Sequence, residues 1–345
     1  MMLTIGRKAQ TMRAQKFLNH KLLKLITELA IIIRWKNLLI MALTMLLLRY
    51  TVMMPVLDSV GAELQTSFGT FIKLLISTLL IAGAGYIIND INDINIDFIN
   101  RPESMVIGRS ISVPVATIAY YCMTVIGLLL GLWAASETGY YKLALLFVVA
   151  AGALWYYATN YKRTFLWGNL IVAALTAMVI LTTWLFEFYS MVHEPAAYSK
   201  AFRVIPLFSQ LCLGFALFAF CTTLVREIVK DIEDLVGDAA ENCVSLPIKL
   251  GVPKTKKVVN IFISCMMALL AIAQYFMYKH GLTQAALYYL VLQFMLYYLI
   301  QHIAKAETPE DNKFSTQLAK LIMVAGIVGM ESIHLSLWQG WASIG

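Results

Sequence analysis

Residues 69–97 read GTFIKLLISTLLIAGAGYIINDINDINID, a mainly apolar run that ends in acidic and amide residues. Its apolar part is about 20 residues long, which is the length that an α-helix needs to cross the hydrocarbon core of a bilayer. Its last part carries Asp90, Asp93 and Asp97 at positions i, i+3 and i+7. The stretch therefore predicts a membrane-spanning helix that brings three carboxylates to one side of the membrane.

The composition of the whole chain also indicates a membrane protein. Of its 345 residues, 60% are hydrophobic and 14% are charged, and the mean hydropathy is +0.73. A soluble domain carries about 25% charged residues, and one soluble core of this length does not bury so much apolar surface. A soluble enzyme, a nucleic-acid-binding protein and a secreted disulfide scaffold are therefore excluded, and the net charge of +7 is attributed to basic cytoplasmic loops.

Nine apolar runs predict an all-α polytopic membrane protein with nine transmembrane helices, at about 37–57, 69–90, 113–135, 142–160, 165–188, 204–226, 257–277, 284–303 and 315–338. With the N-terminus inside, 21 of the 27 lysines and arginines lie on the cytoplasmic side. This asymmetry sets the orientation, because cytoplasmic loops of membrane proteins are enriched in basic residues. Residues 1–36 are predicted to form a basic cytoplasmic or interfacial segment, and 37–345 to form one domain.

A second acidic motif repeats the spacing of the first. Residues 226–238 read REIVKDIEDLVGD and place Asp231, Asp234 and Asp238 at i, i+3 and i+7. On a helix these positions fall within about 60° of one another, so each motif is expected to present a continuous stripe of carboxylates. Converging carboxylates repel one another where water is scarce, and Mg²⁺ relieves this with oxygen ligands from carboxylates, water and phosphates. The pair predicts metal binding, whereas either motif alone is better explained as a solvated helix end.

Basic side chains accompany both acidic motifs. Arg101 follows the first motif, Arg226 and Lys230 lie at the second, and Lys162 and Arg163 close the fourth predicted helix. Carboxylates that hold metal ions beside lysine and arginine suit a polyanion such as a diphosphate. The alternative for each of these cations is a residue that only marks membrane topology.

At these residues the chain resembles the UbiA superfamily of intramembrane prenyltransferases. The family patterns NDxxDxxxD and DxxDxxxD are matched by Asn89, Asp90, Asp93 and Asp97 and by Asp231, Asp234 and Asp238. YATNYKRTFLWGN (157–169) resembles the family's Tyr-x(4)-Lys-Arg segment, and IRWKN (33–37) resembles its Arg-Pro-x-Asn sequence before the first helix, with Trp35 in place of proline. The REI-x-KDIED run resembles most closely the ether-lipid branch, which makes digeranylgeranylglyceryl phosphate.

The resemblance implies nine helices around a central cavity, a cytoplasmic-side active site and a location in the plasma membrane of a prokaryotic cell. It implies Mg²⁺-dependent transfer of a prenyl group, geranylgeranyl in the ether-lipid branch, from a prenyl diphosphate to a lipid-soluble acceptor such as geranylgeranylglyceryl phosphate. Two Mg²⁺ ions would bridge the diphosphate and the six aspartates, which are the implied metal-binding and catalytic residues. The implied diphosphate-binding residues are Asn37, Asn89, Arg101, Lys162, Arg163, Arg226 and Lys230.

Alternatives remain open at this stage. Within the enzyme class, the alternative is transfer to an aromatic quinone precursor of the 4-hydroxybenzoate, dihydroxynaphthoate or homogentisate type. A transporter is disfavoured because the two motifs lie at the membrane edge on helices that run in the same direction. Two further features carry weaker expectations. Glu331 and His334 are expected to form a structural hydrogen bond, and the aromatic run 288–300 is a candidate lining for a prenyl cavity, although such residues more often face lipid or other helices.

Overall fold

The computed structural model describes residues 26–100, 102–160, 164–240 and 243–342, and these form helices joined by short loops. Within the described residues, nine helices are long and apolar enough to cross a membrane. The first to ninth spanning helices are Trp35–Asp58, Phe68–Asn92, Val113–Glu137, Tyr141–Thr159, Trp167–His193, Ile205–Glu233, Val252–Lys279, Thr283–Lys305 and Pro309–Trp338. The all-α class and the nine spans are confirmed, and the chain is an integral membrane protein.

Several helices run further into polar sequence than their hydropathy predicts. The ninth begins at Pro309, because the Thr308 hydroxyl accepts the backbone N–H of Asp311 and the Asp311 side chain accepts that of Thr308. This capping box satisfies helix-end donors that would otherwise lack partners. The sixth helix continues to Glu233, beyond its predicted end near residue 226. The added length of the sixth helix carries part of the second acidic motif.

Both acidic motifs interrupt their helix at the middle aspartate. The second spanning helix stops before Asp93, which has φ −96° and ψ 4°, and a short helix continues at Ile94–Asn100. The sixth stops before Asp234, which has φ −90° and ψ 7°, and a short helix continues at Leu235–Ala240. The prediction of a continuous stripe is therefore wrong, because each middle aspartate has φ of about −90° and ψ of about 0°, which lies outside the helical region and turns the chain between the two segments. The two short helices contact each other, which brings the ends of both motifs together.

Six of the spanning helices surround a central cavity with a volume of about 270 Å³. The first, second, fourth, fifth, sixth and ninth helices contribute its lining, and among the described residues the third, seventh and eighth contribute none. The cavity extends from Arg34 to Thr44 along the first helix, a distance of about 15 Å at 1.5 Å per residue. The expected central cavity exists, and in the described part of the chain its lining comes from six of the nine helices.

The end of the bundle opposite the acidic motifs is held by a buried ion pair. Arg49 Nη1 lies 3.6 Å from Glu187 Oε2, and the two side chains are 7% and 1% exposed. Glu187 also accepts the backbone N–H of Thr66 at 3.2 Å, and Arg49 Nη2 donates to the Thr66 carbonyl at 2.6 Å. These contacts join the first helix, the fifth helix and the loop between the first and second helices.

The two weaker expectations have different outcomes. His334 Nδ1 lies 3.0 Å from Glu331 Oε1, which is the expected hydrogen bond on the ninth helix. The aromatic run 288–300 does not line the cavity, which agrees with the commoner role of such residues in facing lipid or other helices. The eighth helix packs on the outside of the bundle, where Phe294 and Tyr297 are 73% and 56% exposed.

Candidate active site

An asparagine amide holds one carboxylate in each acidic motif. Asn89 Nδ2 donates to Asp93 Oδ2 at 2.6 Å, and Asn169 Nδ2 donates to Asp231 Oδ2 at 2.8 Å. The phenol of Tyr157, on the cavity wall, lies within electrostatic range of both of these aspartates. The two motifs therefore converge near one end of the cavity, and we call this the acidic end.

Arg34 connects the start of the first helix to the first acidic motif. Its Nη2 donates to Asp90 Oδ1 at 2.7 Å, and its guanidinium carbon lies 4.9 Å from the centre of the Tyr86 ring. Burial by itself lowers the pKa of Arg34, but the Asp90 carboxylate raises that pKa above its ordinary value. Arg34 is therefore a permanent positive charge at the acidic end.

Three further cations line the cavity. Arg226 forms an ion pair with Glu227, and Lys230 Nζ lies 3.4 Å from Asp234 Oδ2. Lys320, on the ninth helix, donates from Nζ to Asn37 Oδ1 at 2.7 Å. With Arg34, these side chains make the acidic end rich in both signs of charge, while most of the remaining lining is apolar.

The residues expected from the sequence fall into three groups. Those that line the cavity are Asn37, Asn89, Arg226 and Lys230. The six aspartates of the two motifs lie beside the cavity rather than in its wall, and Asp90 and Asp97 line a small neighbouring cleft. The remaining three lie outside the described residues: Arg101, Lys162 and Arg163.

The oxygen-rich acidic end fits Mg²⁺, although it is not a preformed metal site. Within the part of the chain that the structure describes, no three Asp, Glu, His or Cys side chains are close enough to hold an ion by themselves. Mg²⁺ requires fewer, since it commonly uses one or two carboxylates and takes its other ligands from water and substrate phosphates. Asn89 Oδ1 is buried and has no hydrogen-bond partner among the described residues. A buried oxygen without a partner is costly, and a cation beside Asp93 would satisfy it.

Three residues at this end were not assigned from the sequence as site residues. Arg34 lies within the IRWKN stretch, and Asn169 ends the 157–169 stretch, but neither sequence shows which aspartate it contacts. Lys320 has a clearer signal, because a lysine within an apolar spanning helix is energetically expensive and usually functional. The position of Lys320 within a predicted spanning helix would have identified it as a candidate, whereas the contacts of Arg34 and Asn169 became visible only in the folded structure.

Comparison with known proteins places this geometry in a family. The sequence profile of the UbiA prenyltransferase family matches residues 38–323. The chain is 30% identical over 306 residues to a digeranylgeranylglyceryl phosphate synthase of Saccharolobus solfataricus, covering 84% of this chain and 98% of the relative. It is 29% identical over 291 residues to one of Methanococcus maripaludis, covering 77% and 93%.

Solved structures show the same fold. The chain superposes with a TM-score of 0.63 and 21% identity on a structure from a study of digeranylgeranylglyceryl phosphate synthase in membranes, covering 91% of this chain and 99% of the other. It also superposes on a UbiA homolog from Archaeoglobus fulgidus bound to DMAPP and Mg²⁺, with a TM-score of 0.52, 13% identity and coverages of 88% and 99%. The fold, the two acidic motifs and the profile match agree, and the chain belongs to the UbiA family of prenyltransferases.

Proposed function

We propose that the protein transfers a geranylgeranyl group from geranylgeranyl diphosphate to geranylgeranylglyceryl phosphate. The observation that carries this proposal is the cavity, which is apolar along most of its length and has Arg34, Arg226 and Lys230 at its acidic end. An isoprenoid chain fits the apolar part, and its diphosphate fits the charged end. The acceptor is proposed because relatives that match over most of their length are named for the product of this transfer.

We propose Mg²⁺ as the cofactor, with two ions as the family resemblance implies, held by the aspartates of both motifs and by Asn89 Oδ1. When bound, the metal neutralises the charge that develops on the leaving diphosphate. The amides of Asn89 and Asn169 orient Asp93 and Asp231 for this task, in the way that outer hydrogen bonds orient metal ligands. The Archaeoglobus homolog, whose structure contains DMAPP and Mg²⁺, supports the proposal.

In the proposed reaction, the C–O bond between the prenyl chain and the diphosphate breaks, and the diphosphate leaves with the bonding electrons. A hydroxyl oxygen of the acceptor attacks the allylic carbon, an ether bond forms, and the hydroxyl proton passes to the released diphosphate. Arg226 and Lys230 stabilise the negative charge of the leaving group. Departure of the diphosphate leaves an allylic carbocation on the prenyl chain. Apolar side chains such as Phe147 and Phe215 exclude water, which would otherwise react with this carbocation.

We also propose that the acidic end faces the cytoplasm. Of the 27 lysines and arginines, 21 lie on that side of the predicted arrangement, and basic residues are enriched in cytoplasmic loops. Both substrates of the proposed reaction would then meet at the cytoplasmic membrane surface, with their isoprenoid chains in the bilayer.

The test uses purified protein in liposomes with labelled geranylgeranyl diphosphate, Mg²⁺ and a panel of acceptors. We expect prenylation of geranylgeranylglyceryl phosphate, and loss of transfer in Asp93→Asn and Asp234→Asn. Asn92→Ala is the matched control, because Asn92 is exposed and its amide donates to the Ile88 carbonyl of its own helix. Prenylation of 4-hydroxybenzoate, dihydroxynaphthoate or homogentisate instead would refute the acceptor, and transfer that survives in both aspartate variants would refute the mechanism.

A further inference from the structure

Lys320 is a half-buried cation inside a spanning helix, and the proposed mechanism does not use it. It lies on the ninth helix, one turn after Thr316, whose hydroxyl donates to Glu233 Oε2 at 3.0 Å. Its own Nζ donates to Asn37 Oδ1 at 2.7 Å, across the contact between the ninth and first helices. An ammonium group at such a position is expensive unless a partner compensates its charge.

The cavity does not supply that compensation. Arg34, Arg226 and Lys230 each have a carboxylate partner, in Asp90, Glu227 and Asp234 respectively. Among the described residues, the hydrogen-bond partner of Lys320 is the neutral amide of Asn37. The positive charges of Arg226, Lys36 and Arg34 also act on the Lys320 ammonium, so its surroundings are repulsive. The wall around Lys320 therefore carries a positive charge that a ligand anion would balance.

The Lys320–Asn37 pair also offers a second donor. The side-chain oxygen of Asn37 accepts a hydrogen bond from Lys320, so its Nδ2 group remains available as a donor. This group has no hydrogen-bond partner among the described residues. An ammonium and an amide N–H₂ side by side on a cavity wall suit the oxygens of a phosphate group, to which charged donors bind most strongly.

We propose that Lys320, with Asn37, binds the phosphate monoester of the acceptor lipid, which differs from the diphosphate-binding role that the family resemblance implies for Asn37. This inference rests on the proposed function, in which two separate anions must occupy one cavity at the same time. The diphosphate is accounted for by the two aspartate motifs and by the three cations that have carboxylate partners, Arg34, Arg226 and Lys230. Lys320 lies on the ninth helix and hydrogen-bonds to the first, so it adds a further positive charge on another wall of the cavity, near Arg34 and Arg226. This charge would hold the second phosphate and reduce its repulsion by the diphosphate.

The test measures KM for each substrate separately in Lys320→Gln. A lost hydrogen bond from a charged donor is worth roughly a tenfold to hundredfold change in affinity. We expect the KM for geranylgeranylglyceryl phosphate to rise by that factor, while the KM for geranylgeranyl diphosphate stays within about twofold of wild type. Lys320→Arg should restore most of the acceptor affinity, and Lys313→Gln is the matched control because Lys313 is an exposed lysine two turns earlier on the same helix.

A dephosphorylated acceptor separates phosphate recognition from a structural role. Geranylgeranylglycerol should be a poor substrate with the same KM in wild type and Lys320→Gln, whereas a merely structural lysine would raise the KM for both acceptors. Lys320→Met gives the same comparison if the glutamine variant folds poorly. A rise in the diphosphate KM alone, or an unchanged acceptor KM, overturns the assignment of Lys320. Failure of the wild type to prenylate the phosphate acceptor would instead refute the proposed function itself.

Discussion

Asn89→Ala tests whether the first acidic motif binds metal as the proposed mechanism requires. The substitution removes the 2.6 Å hydrogen bond from Asn89 Nδ2 to Asp93 Oδ2 and also removes the buried oxygen Oδ1, which has no partner among the described residues. Asp93 itself is 3% exposed, so water does not readily replace the lost amide. The Asp93 carboxylate then loses one of the contacts that orient it, and the proposed site loses one oxygen that would bind the metal.

The size of the effect follows from these two losses. A hydrogen bond to a charged group contributes about 1.5–3 kcal/mol, and about 1.4 kcal/mol corresponds to a factor of ten. We therefore expect the Mg²⁺ concentration for half-maximal activity to rise by roughly tenfold to a hundredfold, the range typical for loss of an outer hydrogen bond to a metal ligand. Saturating Mg²⁺ should recover much of the lost rate.

The assay is prenyl transfer in liposomes, measured as a Mg²⁺ titration at saturating concentrations of both substrates. Asn92→Ala is again the control, since Asn92 lies three residues further along the same helix and faces solvent. The control should titrate as wild type does. Equal Mg²⁺ dependence in Asn89→Ala and Asn92→Ala, or a loss of rate that saturating Mg²⁺ does not recover, would contradict the reasoning.

Two further predictions concern stability rather than chemistry. Glu187→Ala leaves the buried Arg49 without its carboxylate, and we expect a loss of about 3–5 kcal/mol in the free energy of unfolding, measured by SDS titration in mixed micelles. Glu331→Ala removes a carboxylate from a half-exposed pair and should cost less than about 1 kcal/mol. Similar losses in the two variants would argue against burial as the cause. Gly131→Ala places a methyl group 2.5 Å from the Phe147 ring, between the third and fourth helices, and should cost about 1–3 kcal/mol. Gly152→Ala meets no atom within 4 Å, and a loss there as large as at Gly131 would exclude overpacking as the explanation.

The sequence was sufficient for the fold because the spanning helices are encoded locally. A run such as 69–90 is apolar over the length of a bilayer, and no tertiary contact is needed to recognise it. The spacing of the aspartates predicted a paired acidic site for the same reason. The spacing did not predict the breaks at Asp93 and Asp234, because it was interpreted with the geometry of an uninterrupted ideal helix. Hydropathy also could not show that the eighth helix lies outside the cavity, because an apolar side chain can face lipid or protein equally well.

The contacts of individual site residues were beyond the sequence because they join distant parts of the chain. Arg34 and Asp90 are 56 positions apart, and Lys320 and Asn37 are 283 positions apart. Each pair forms only after the first helix packs against the second and the ninth. The residues were visible as polar or charged groups near helix ends or inside a helix, but their partners depend on which helices become neighbours.

The two acidic motifs have similar backbone conformations but different side chains in contact with their middle aspartates. In both, the helix ends at the middle aspartate and a short helix carries the third. Four residues before that aspartate, however, the first motif has Asn89, which hydrogen-bonds to Asp93, and the second has Lys230, which pairs with Asp234. The amide of Asn89 orients Asp93 without adding a charge, whereas the ammonium group of Lys230 brings a positive charge beside Asp234. The repeated spacing therefore hides a difference in side-chain support, and we infer that Lys230 lets the second motif present a cation to the leaving diphosphate beside its carboxylates.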